Sequence, residues 1–205
     1  MEQIIIATKN QGKAKEFRTF FDEFGIQALS LNDFGERIPD VEETGETFKE
    51  NAALKAEQIA SLMNQPVISD DSGLEIEALD GRPGVYSARY AGMDKNDQAN
   101  IDKVLTELKD IPEGERQARF VCMLAVAIPN QPTHFEQGSC HGKIAFEQNG
   151  VNGFGYDPIF IPEGYTETLA QLTPEEKNRI SHRRHAFANI ESWVKEIKKR
   201  GEQDG

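Results

Sequence analysis

A continuous apolar run, Phe120 to Ile128, constrains the fold of this chain more than any other feature. Arg119 and Pro129 bound the run, and it is too short for a buried helix of usual length. Uninterrupted apolar runs of this size are typical of strands that are buried within a sheet. We therefore predict that Phe120 to Ile128 forms a central strand.

Short apolar runs alternate with segments of helical periodicity along the rest of the chain. Strands are predicted at Gln3 to Thr8 and at Pro66 to Ser69, the second ending at Asp70, with more extended chain from Thr133 to Ala145. Helices are predicted at Ala14 to Phe24, Thr47 to Met63, Asp97 to Leu108, from Thr173, and from near Ser181. We expect an α/β fold with a mixed sheet, bent into two lobes around a cleft. At 205 residues, one domain over residues 1–205 is favoured, with a frayed tail after about Lys199.

The charge balance limits the possible partners. The chain has 23 Lys and Arg against 35 Asp and Glu, a net charge of -12. Polymeric nucleic acid is a poor partner for such a chain, because its binding depends on a basic face that neutralises phosphates. No signal peptide and no run of roughly 20 apolar residues is recognisable, so we expect no membrane contact and a cytoplasmic location. A small anionic ligand remains possible wherever cations cluster locally.

The segment Thr8-Lys9-Asn10-Gln11-Gly12-Lys13 links the first predicted strand to the first predicted helix. Backbone amides at a helix start, together with a lysine, form an anion site. The segment is not a Walker A loop, because the spaced first glycine and the Ser or Thr after Lys13 are absent. Ordinary loop chemistry is the alternative reading.

Two acidic segments could bind a metal. Asp70 and Asp71 stand together at the expected end of a buried strand, where adjacent carboxylates lose solvation and repel each other unless a cation compensates. Mg²⁺ is the candidate, since it takes one or two carboxylates and completes its shell with waters and phosphates. An Asx turn ahead of Gly73 is the alternative. Glu42 and Glu43 offer further ligands, or favour the following helix start by their charge.

The C-terminal third contains a candidate base-binding region. The glycines around Phe154 and Tyr156 could present an aromatic ring for stacking, although a plain glycine-rich connection would have the same composition. Five basic residues crowd two predicted helix starts: Lys177, Arg179, His182, Arg183 and Arg184. They form the local cation cluster that an anionic ligand requires, or else a solvated basic helix face.

Taken in order, these segments closely resemble the inosine triphosphate pyrophosphatase family, also called non-standard purine NTP pyrophosphatases or XTP/dITP diphosphatases. The matching segments are Ala-Thr-Lys-Asn-Gln-Gly-Lys at 7–13, Glu-Glu-Thr-Gly at 42–45, Phe-Lys-Glu-Asn-Ala at 48–52, Ser-Asp-Asp-Ser-Gly-Leu at 69–74, Gly-Arg-Pro-Gly-Val-Tyr-Ser-Ala-Arg-Tyr-Ala-Gly at 81–92, Phe-Gly-Tyr-Asp-Pro-Ile-Phe at 154–160, and Ser-His-Arg at 181–183. The resemblance implies an elongated α/β fold, a homodimer, a Mg²⁺ cofactor, and hydrolysis of ITP, dITP or XTP to the monophosphate and pyrophosphate.

The resemblance also implies roles for individual residues. Thr8, Lys9, Asn10, Gln11, Gly12 and Lys13 would bind the triphosphate, and Ser72 would touch the substrate. Asp71 would be catalytic base and metal ligand, with Glu42 as second metal carboxylate and Glu43 and Asp70 as secondary candidates. Phe154, Gly155, Tyr156 and Asp157 would enclose base and sugar, and Lys177 would reach the phosphate or base. His182 and Arg183 would read the six-position oxygen, which adenine replaces with an amine.

Two other functions remain open on the sequence. A pyrophosphatase for pyrimidine triphosphates would lack both the 154–157 and 181–183 segments, and both are present. A nucleotide-binding sensor without enzymatic activity would have replaced the carboxylates at Glu42 and Asp71, and neither is replaced. The sequence therefore favours an enzyme acting on non-standard purine nucleotides.

Overall fold

The computed structural model describes residues 1–203, without the side chains of residues 36, 37 and 200–203. Its strands are β1 (Gln3–Ile6), β2 (Gln27–Ser30), β3 (Val67–Ile76), β4 (Gln117–Ala127), β5 (His134–Ile144) and β6 (Phe160–Pro162). Its helices are α1 (Gln11–Asp22), α2 (Phe48–Met63), α3 (Asp97–Glu107), α4 (Pro174–Ile180) and α5 (His182–Gln203). Several short 3₁₀ turns link these elements.

All six strands form one sheet in the order β2-β1-β3-β4-β5-β6. β1 pairs in parallel with β2 and with β3, whereas β5 and β6 pair antiparallel, so the sheet is mixed. β4 contains the apolar run up to Ala127 and lies between β3 and β5, which confirms the predicted central strand. The α/β class with a mixed sheet is likewise confirmed.

β3 is longer than predicted. The strand was expected to end at Asp70, but it continues through Asp71, Ser72 and Gly73 to Ile76. Leu74 and Ile76 are fully buried in a hydrophobic core, and their alternation holds the chain extended. The prediction of a strand end, and the alternative of an Asx turn ahead of Gly73, are therefore both wrong.

The chain divides into two compact units. The first contains residues 1–71, 123–137 and 186–205, and the second contains residues 72–122 and 138–185. A core on α2, with Ala52, Ala56 and Ile59 fully buried, belongs to the first unit. The core of the second unit packs α3 residues such as Val104 against β3, β4 and β5. One domain over residues 1–205 stays a prediction.

The helix starts are close to those predicted from their capping residues. Thr47 and Glu50 form a reciprocal capping box at α2, and Thr173 and Glu176 form another at α4. α1 starts at Gln11, three residues earlier than predicted, because the Asn10 side chain caps it. α5 continues to Gln203, so residues 200–203 belong to the helix, and the expected fraying after Lys199 stays a prediction. Residues 204 and 205 lie outside the described residues. No helix in the described chain is long and apolar enough to cross a membrane.

Candidate active site

The site residues predicted from the sequence fall in both units, and each group is described within its own unit. In the first unit the centre is the acidic pair of β3. Asp70 and Asp71 are 3% and 8% exposed, so both carboxylates are buried in the middle of a strand. Because side chains alternate along a strand, the two carboxylates point to opposite faces of the sheet. Each therefore needs its own compensating cation.

Lys13 compensates Asp70. Its Nζ lies 2.8 Å from Asp70 Oδ2, and this ion pair connects the first turn of α1 to β3. The Asn10 side chain accepts a hydrogen bond from Lys13 N at 3.0 Å, and Asn10 N in turn donates to Thr8 Oγ1 at 3.1 Å. The sequence predicts a loop over Thr8 to Lys13, but Gln11, Gly12 and Lys13 form the first turn of α1. Their backbone amides are at a helix N-terminus, where anions bind.

Lys9, in the same loop, forms its ion pair with a different carboxylate. Its Nζ contacts the exposed Asp40 carboxylate at 2.6 Å, and its carbonyl oxygen accepts a hydrogen bond from Asn32 Nδ2 at 2.8 Å. The latter bond fixes the backbone of the loop beside the helix start. The Lys9 side chain is half-exposed and can reach a ligand in solvent.

Lys55 is a site residue that sequence reasoning missed. Its Nζ donates to Glu43 Oε1 at 2.5 Å and to the main-chain oxygen of Asp70 at 2.6 Å. Burial, the largest single effect, lowers its pKa, but the charges of Asp70, Glu43 and Asp71 together outweigh it and the pKa is raised. Lys55 is therefore a fixed positive charge in the middle of the carboxylates. The available signal was its position four residues after Asn51, on the same face of α2.

Asp71 has an unusual environment for a carboxylate. The pKa of Asp71 is raised to about 6: burial is the largest cause, the Lys55 charge acts against it, and the nearby charges of Glu43 and Asp70 add to the rise. A hydrogen bond with the Asn51 side chain acts in the opposite direction. Asn51 was also missed by sequence reasoning. It is buried, and its Oδ1 accepts from Gly45 N at 2.7 Å, so it ties the acidic loop to α2.

Gly45 allows that loop to approach the helix closely. A Cβ atom at this position would lie 2.6 Å from Glu50 Cβ and 2.7 Å from Asn51 Oδ1. The two preceding glutamates end in different environments: Glu43 pairs with Lys55, whereas Glu42 is exposed. Among the described residues no group of three or more His, Cys, Asp and Glu side chains is arranged to hold a metal.

In the second unit the predicted residues surround a glycine-rich turn. Phe154 is 64% exposed, while Tyr156 and Asp157 are 5% and 4% exposed. The Asp157 carboxylate forms a short ion pair with Lys177 Nζ and accepts from Phe154 N at 3.0 Å. Lys177 Nζ lies 4.6 Å from the centre of the Phe154 ring. Of the two aromatic side chains, only Phe154 is available for stacking, because Tyr156 is buried and donates its hydroxyl to Ser87 O at 2.7 Å.

His182 and Arg183 open α5. The His182 ring stacks on Phe120 of β4, with centroids 5.1 Å apart and the planes 18° from parallel. Arg183 is buried, whereas Arg184 is exposed and its amide donates to Ser181 Oγ at 3.1 Å. The basic cluster is therefore partly internal and is not simply a solvated helix face.

Ser72, the second-unit neighbour of Asp71 in β3, is half-buried.

Comparison with known proteins identifies the family of the chain. The model of the Ham1 family matches residues 4–193. This chain belongs to the Ham1 family. The chain is 60% identical over 197 residues to a protein of Oceanobacillus iheyensis named dITP/XTP pyrophosphatase, a match that covers 96% of the chain and all of the relative. A dITP/XTP pyrophosphatase of Geobacillus kaustophilus is 53% identical and is matched over 96% of both chains.

Solved Ham1 structures share the fold. The Staphylococcus aureus Ham1 protein is 44% identical with a TM-score of 0.88, over 95% of this chain and 99% of that one. A HAM1 protein from Coxiella burnetii is 39% identical with a TM-score of 0.89, over 96% and 100% of the two chains. Both matches extend over nearly the whole chain, so the resemblance inferred from seven short segments is confirmed.

Proposed function

We infer that this chain hydrolyses the non-standard purine nucleotides dITP, XTP and ITP to the monophosphate and pyrophosphate. Its membership of the Ham1 family and its 60% identity to a dITP/XTP pyrophosphatase support this function. The observation that carries the chemistry is the buried Asp71 with Lys55 beside it, because a carboxylate next to fixed positive charge suits proton abstraction close to an anionic phosphate. The chain is therefore a hydrolase of phosphoanhydride bonds.

The phosphate tail binds at the start of α1 and beside the lysines. The amides of Gln11 and Gly12, in the first helical turn, donate to phosphate oxygens, while the Lys13 amide stays bonded to the Asn10 side chain. Lys13 exchanges part of its contact with Asp70 for a phosphate oxygen. Thr8, Lys9 and Asn10 shape the same loop. Lys55 adds a buried positive charge, and its attraction to the phosphates becomes stronger as water is excluded.

Asp71 accepts the proton of the water that attacks the α-phosphorus. Attack at this atom breaks the bond to the β-phosphate, so the products are the monophosphate and pyrophosphate. Asn51 holds the Asp71 carboxylate by a side-chain hydrogen bond. Ser72 follows directly in the strand and contacts the substrate.

The donor set fits Mg²⁺. Mg²⁺ takes one or two carboxylates together with waters and phosphate oxygens, and Asp71 with the exposed Glu42 would supply the two. When bound, Mg²⁺ would neutralise charge on the phosphates and on the leaving pyrophosphate. Glu43 already pairs with Lys55, so its role is to hold that lysine. Asp70 similarly holds Lys13.

Base selection belongs to the second unit. Phe154 offers an exposed ring for stacking, and Lys177 lies over that ring. His182 and Arg183 donate hydrogen bonds to the carbonyl oxygen at the six position of hypoxanthine or xanthine. Adenine carries an amine there, and a donor facing a donor leaves both groups without partners, so ATP is rejected.

The function is tested with the purified protein, Mg²⁺ and a panel of ITP, XTP, dITP, GTP, ATP and dTTP, measuring pyrophosphate and orthophosphate separately. Pyrophosphate from ITP, XTP and dITP, with little from ATP, is the expected result, and GTP tests separately whether guanine, which keeps the six-position carbonyl, is excluded. Turnover of dTTP alone would favour a pyrimidine-type enzyme, and binding without turnover would favour a sensor. We further propose that the protein acts in the cytoplasm as a homodimer, and light scattering tests its mass.

A further inference from the structure

The glycine turn, residues 153–157, is held by carboxylates at two successive amides. Phe154 N donates to Asp157 Oδ2 at 3.0 Å, within the turn. Gly155 N donates to Asp97 Oδ2 at 2.8 Å, and Asp97 lies 58 residues earlier in the chain. Gly153 and Gly155 have φ angles of 77° and 59°, which favour glycine. The turn therefore depends on a distant carboxylate as well as on its own sequence.

Asp97 is the first residue of α3, but it is not the residue that caps the helix. The N-cap is Asn96, whose side chain accepts from Ala99 N at 3.0 Å. An acidic residue in a first helical turn also stabilises the helix dipole, and this would be a sufficient explanation if its carboxylate faced only solvent. The Asp97 carboxylate instead accepts the Gly155 amide. Its charge is also among the causes, after burial and Tyr90, that raise the pKa of Tyr156.

Phe154 stands between the two carboxylate-bound amides. Its ring is 64% exposed, so packing alone does not hold it, and its direction follows from the backbone on either side. The Asp157 carboxylate fixes the Phe154 amide, and the Asp97 carboxylate fixes the Gly155 amide. Releasing the Gly155 amide would let the glycine-rich backbone populate other conformations, in which the Phe154 ring points elsewhere.

We propose that Asp97 is a positioning residue for substrate recognition, which holds the glycine turn so that Phe154 is oriented to stack on the purine before the nucleotide binds. This inference rests on the proposed function of the turn as the base-binding element. Apparent affinity falls in proportion to the fraction of molecules in the competent conformation. Loss of one charge-assisted hydrogen bond corresponds to about a tenfold rise in KM, with little change in kcat.

The test compares Asp97→Ala with Asp97→Asn and with a matched control, Asp102→Ala. Asparagine keeps an oxygen acceptor for the Gly155 amide but removes the charge. Asp102 is exposed on the same helix, and its carboxylate accepts a hydrogen bond from Gln98 Nε2 at 2.7 Å, one turn earlier. Four quantities are measured for each variant: kcat and KM with XTP, the Ki of inorganic tripolyphosphate, and the melting temperature. Affinity for IMP by calorimetry is measured in parallel.

We expect Asp97→Ala to raise the KM for XTP and the Kd for IMP about tenfold, with the tripolyphosphate Ki unchanged because that ion has no base. The KM of Asp97→Asn should stay close to the wild-type value, and the KM of Asp102→Ala should equal it. A KM within twofold of wild type in Asp97→Ala overturns the inference. So does an equal rise in KM and tripolyphosphate Ki, which would indicate general damage.

The helix-dipole explanation gives a different pattern, and that pattern also overturns the inference. Both Asp97 variants would then lose melting temperature to a similar extent, because both remove the charge, and their KM values would stay at the wild-type level. Failure of the proposed function has its own signature. Wild-type protein would then turn over no non-standard purine triphosphate, whereas wild-type turnover with unaffected Asp97→Ala removes only this inference.

Discussion

Replacing Lys55 by methionine tests the centre of the proposed site most directly. Methionine keeps most of the side-chain stem and removes the ammonium group, so the change is mainly one of charge. The variant leaves Glu43 Oε1 and the Asp70 main-chain oxygen without the donor that lies 2.5 Å and 2.6 Å away. It also removes the charge that lowers the pKa of Asp71.

The expected loss of stability follows from the burial of the pair. Removing one member of a buried ion pair costs about 3–5 kcal/mol, because the other charge stays buried. The Lys55 side chain is 16% exposed and the Glu43 side chain 32% exposed, so water can partly resolvate the glutamate. We therefore expect the lower end of that range, about 3 kcal/mol. In a protein of this size, that corresponds to a fall in Tm of about 6–12 °C.

Turnover should fall further than stability alone would explain. Loss of one preorganised positive group costs about 10²–10³ in kcat in other enzymes, and we expect a loss in that range for XTP. Urea denaturation gives the stability, and pyrophosphate release gives the rate. Lys49→Met is the control, since Lys49 is exposed on the same helix and its Nζ lies 4.6 Å from the centre of the Phe135 ring.

A Lys55→Met protein with wild-type stability and turnover would refute the reasoning. Lower stability with unchanged kcat/KM would show that Lys55 neutralises the carboxylates and has no role in turnover.

Three other predictions follow from the structure. Glu42→Gln should raise the Mg²⁺ concentration for half-maximal turnover about tenfold at wild-type Tm, whereas Glu43→Gln should lower Tm with a smaller effect on Mg²⁺; metal titrations and melting curves test this. Asp71→Asn should lower kcat at least about 100-fold with an unchanged circular dichroism spectrum, and near-wild-type turnover would exclude it as the base. Burial, and then Glu107, raise the pKa of Tyr90 to about 12. The protonated phenol therefore stabilises the fold fully below about pH 10, and this contribution is lost as the pH rises towards 12. Tyr90→Phe should show less loss of Tm between pH 9 and pH 11.5, and an equal loss in both proteins would contradict the assignment.

Features with local causes could be predicted from the sequence. The capping boxes of α2 and α4 use residues three positions apart, and a helix start needs little else. The end of β3 could not be predicted in this way. Asp-Asp-Ser-Gly is typical of a turn by composition, but Leu74 and Ile76 pack into a core formed by residues distant in sequence, and that packing keeps the strand extended. β2 and β6 have four and three residues and show no usable periodicity.

The candidate site divides in the same way. Asp70 and Asp71 were identified because adjacent carboxylates in an apolar setting are costly, and that cost is visible in the sequence. Lys55 was missed because a lysine within a helix usually belongs to its solvated face. Only the tertiary structure shows that α2 turns this face, with Asn51, towards β3. Asp97 was missed for a similar reason, since its partner Gly155 lies 58 residues away.

The charges of the first-unit cluster bear on the need for a metal. Glu43, Asp70 and Asp71 contribute three carboxylates, and Lys13 and Lys55 contribute the two ammonium groups that contact or neutralise them. The protein as a whole carries a net charge of -12, so its general field also opposes an anion.

A triphosphate brings several further negative charges to this cluster of carboxylates and lysines. The two lysines already balance carboxylates, so they cannot neutralise the phosphates without exposing Asp70 or Glu43. A divalent cation would resolve that deficit, and we therefore expect nucleotide affinity itself, and not only the rate, to depend on Mg²⁺. Calorimetry with a non-hydrolysable ITP analogue, with and without Mg²⁺, measures this, and equal affinity in both conditions would show that the lysines suffice.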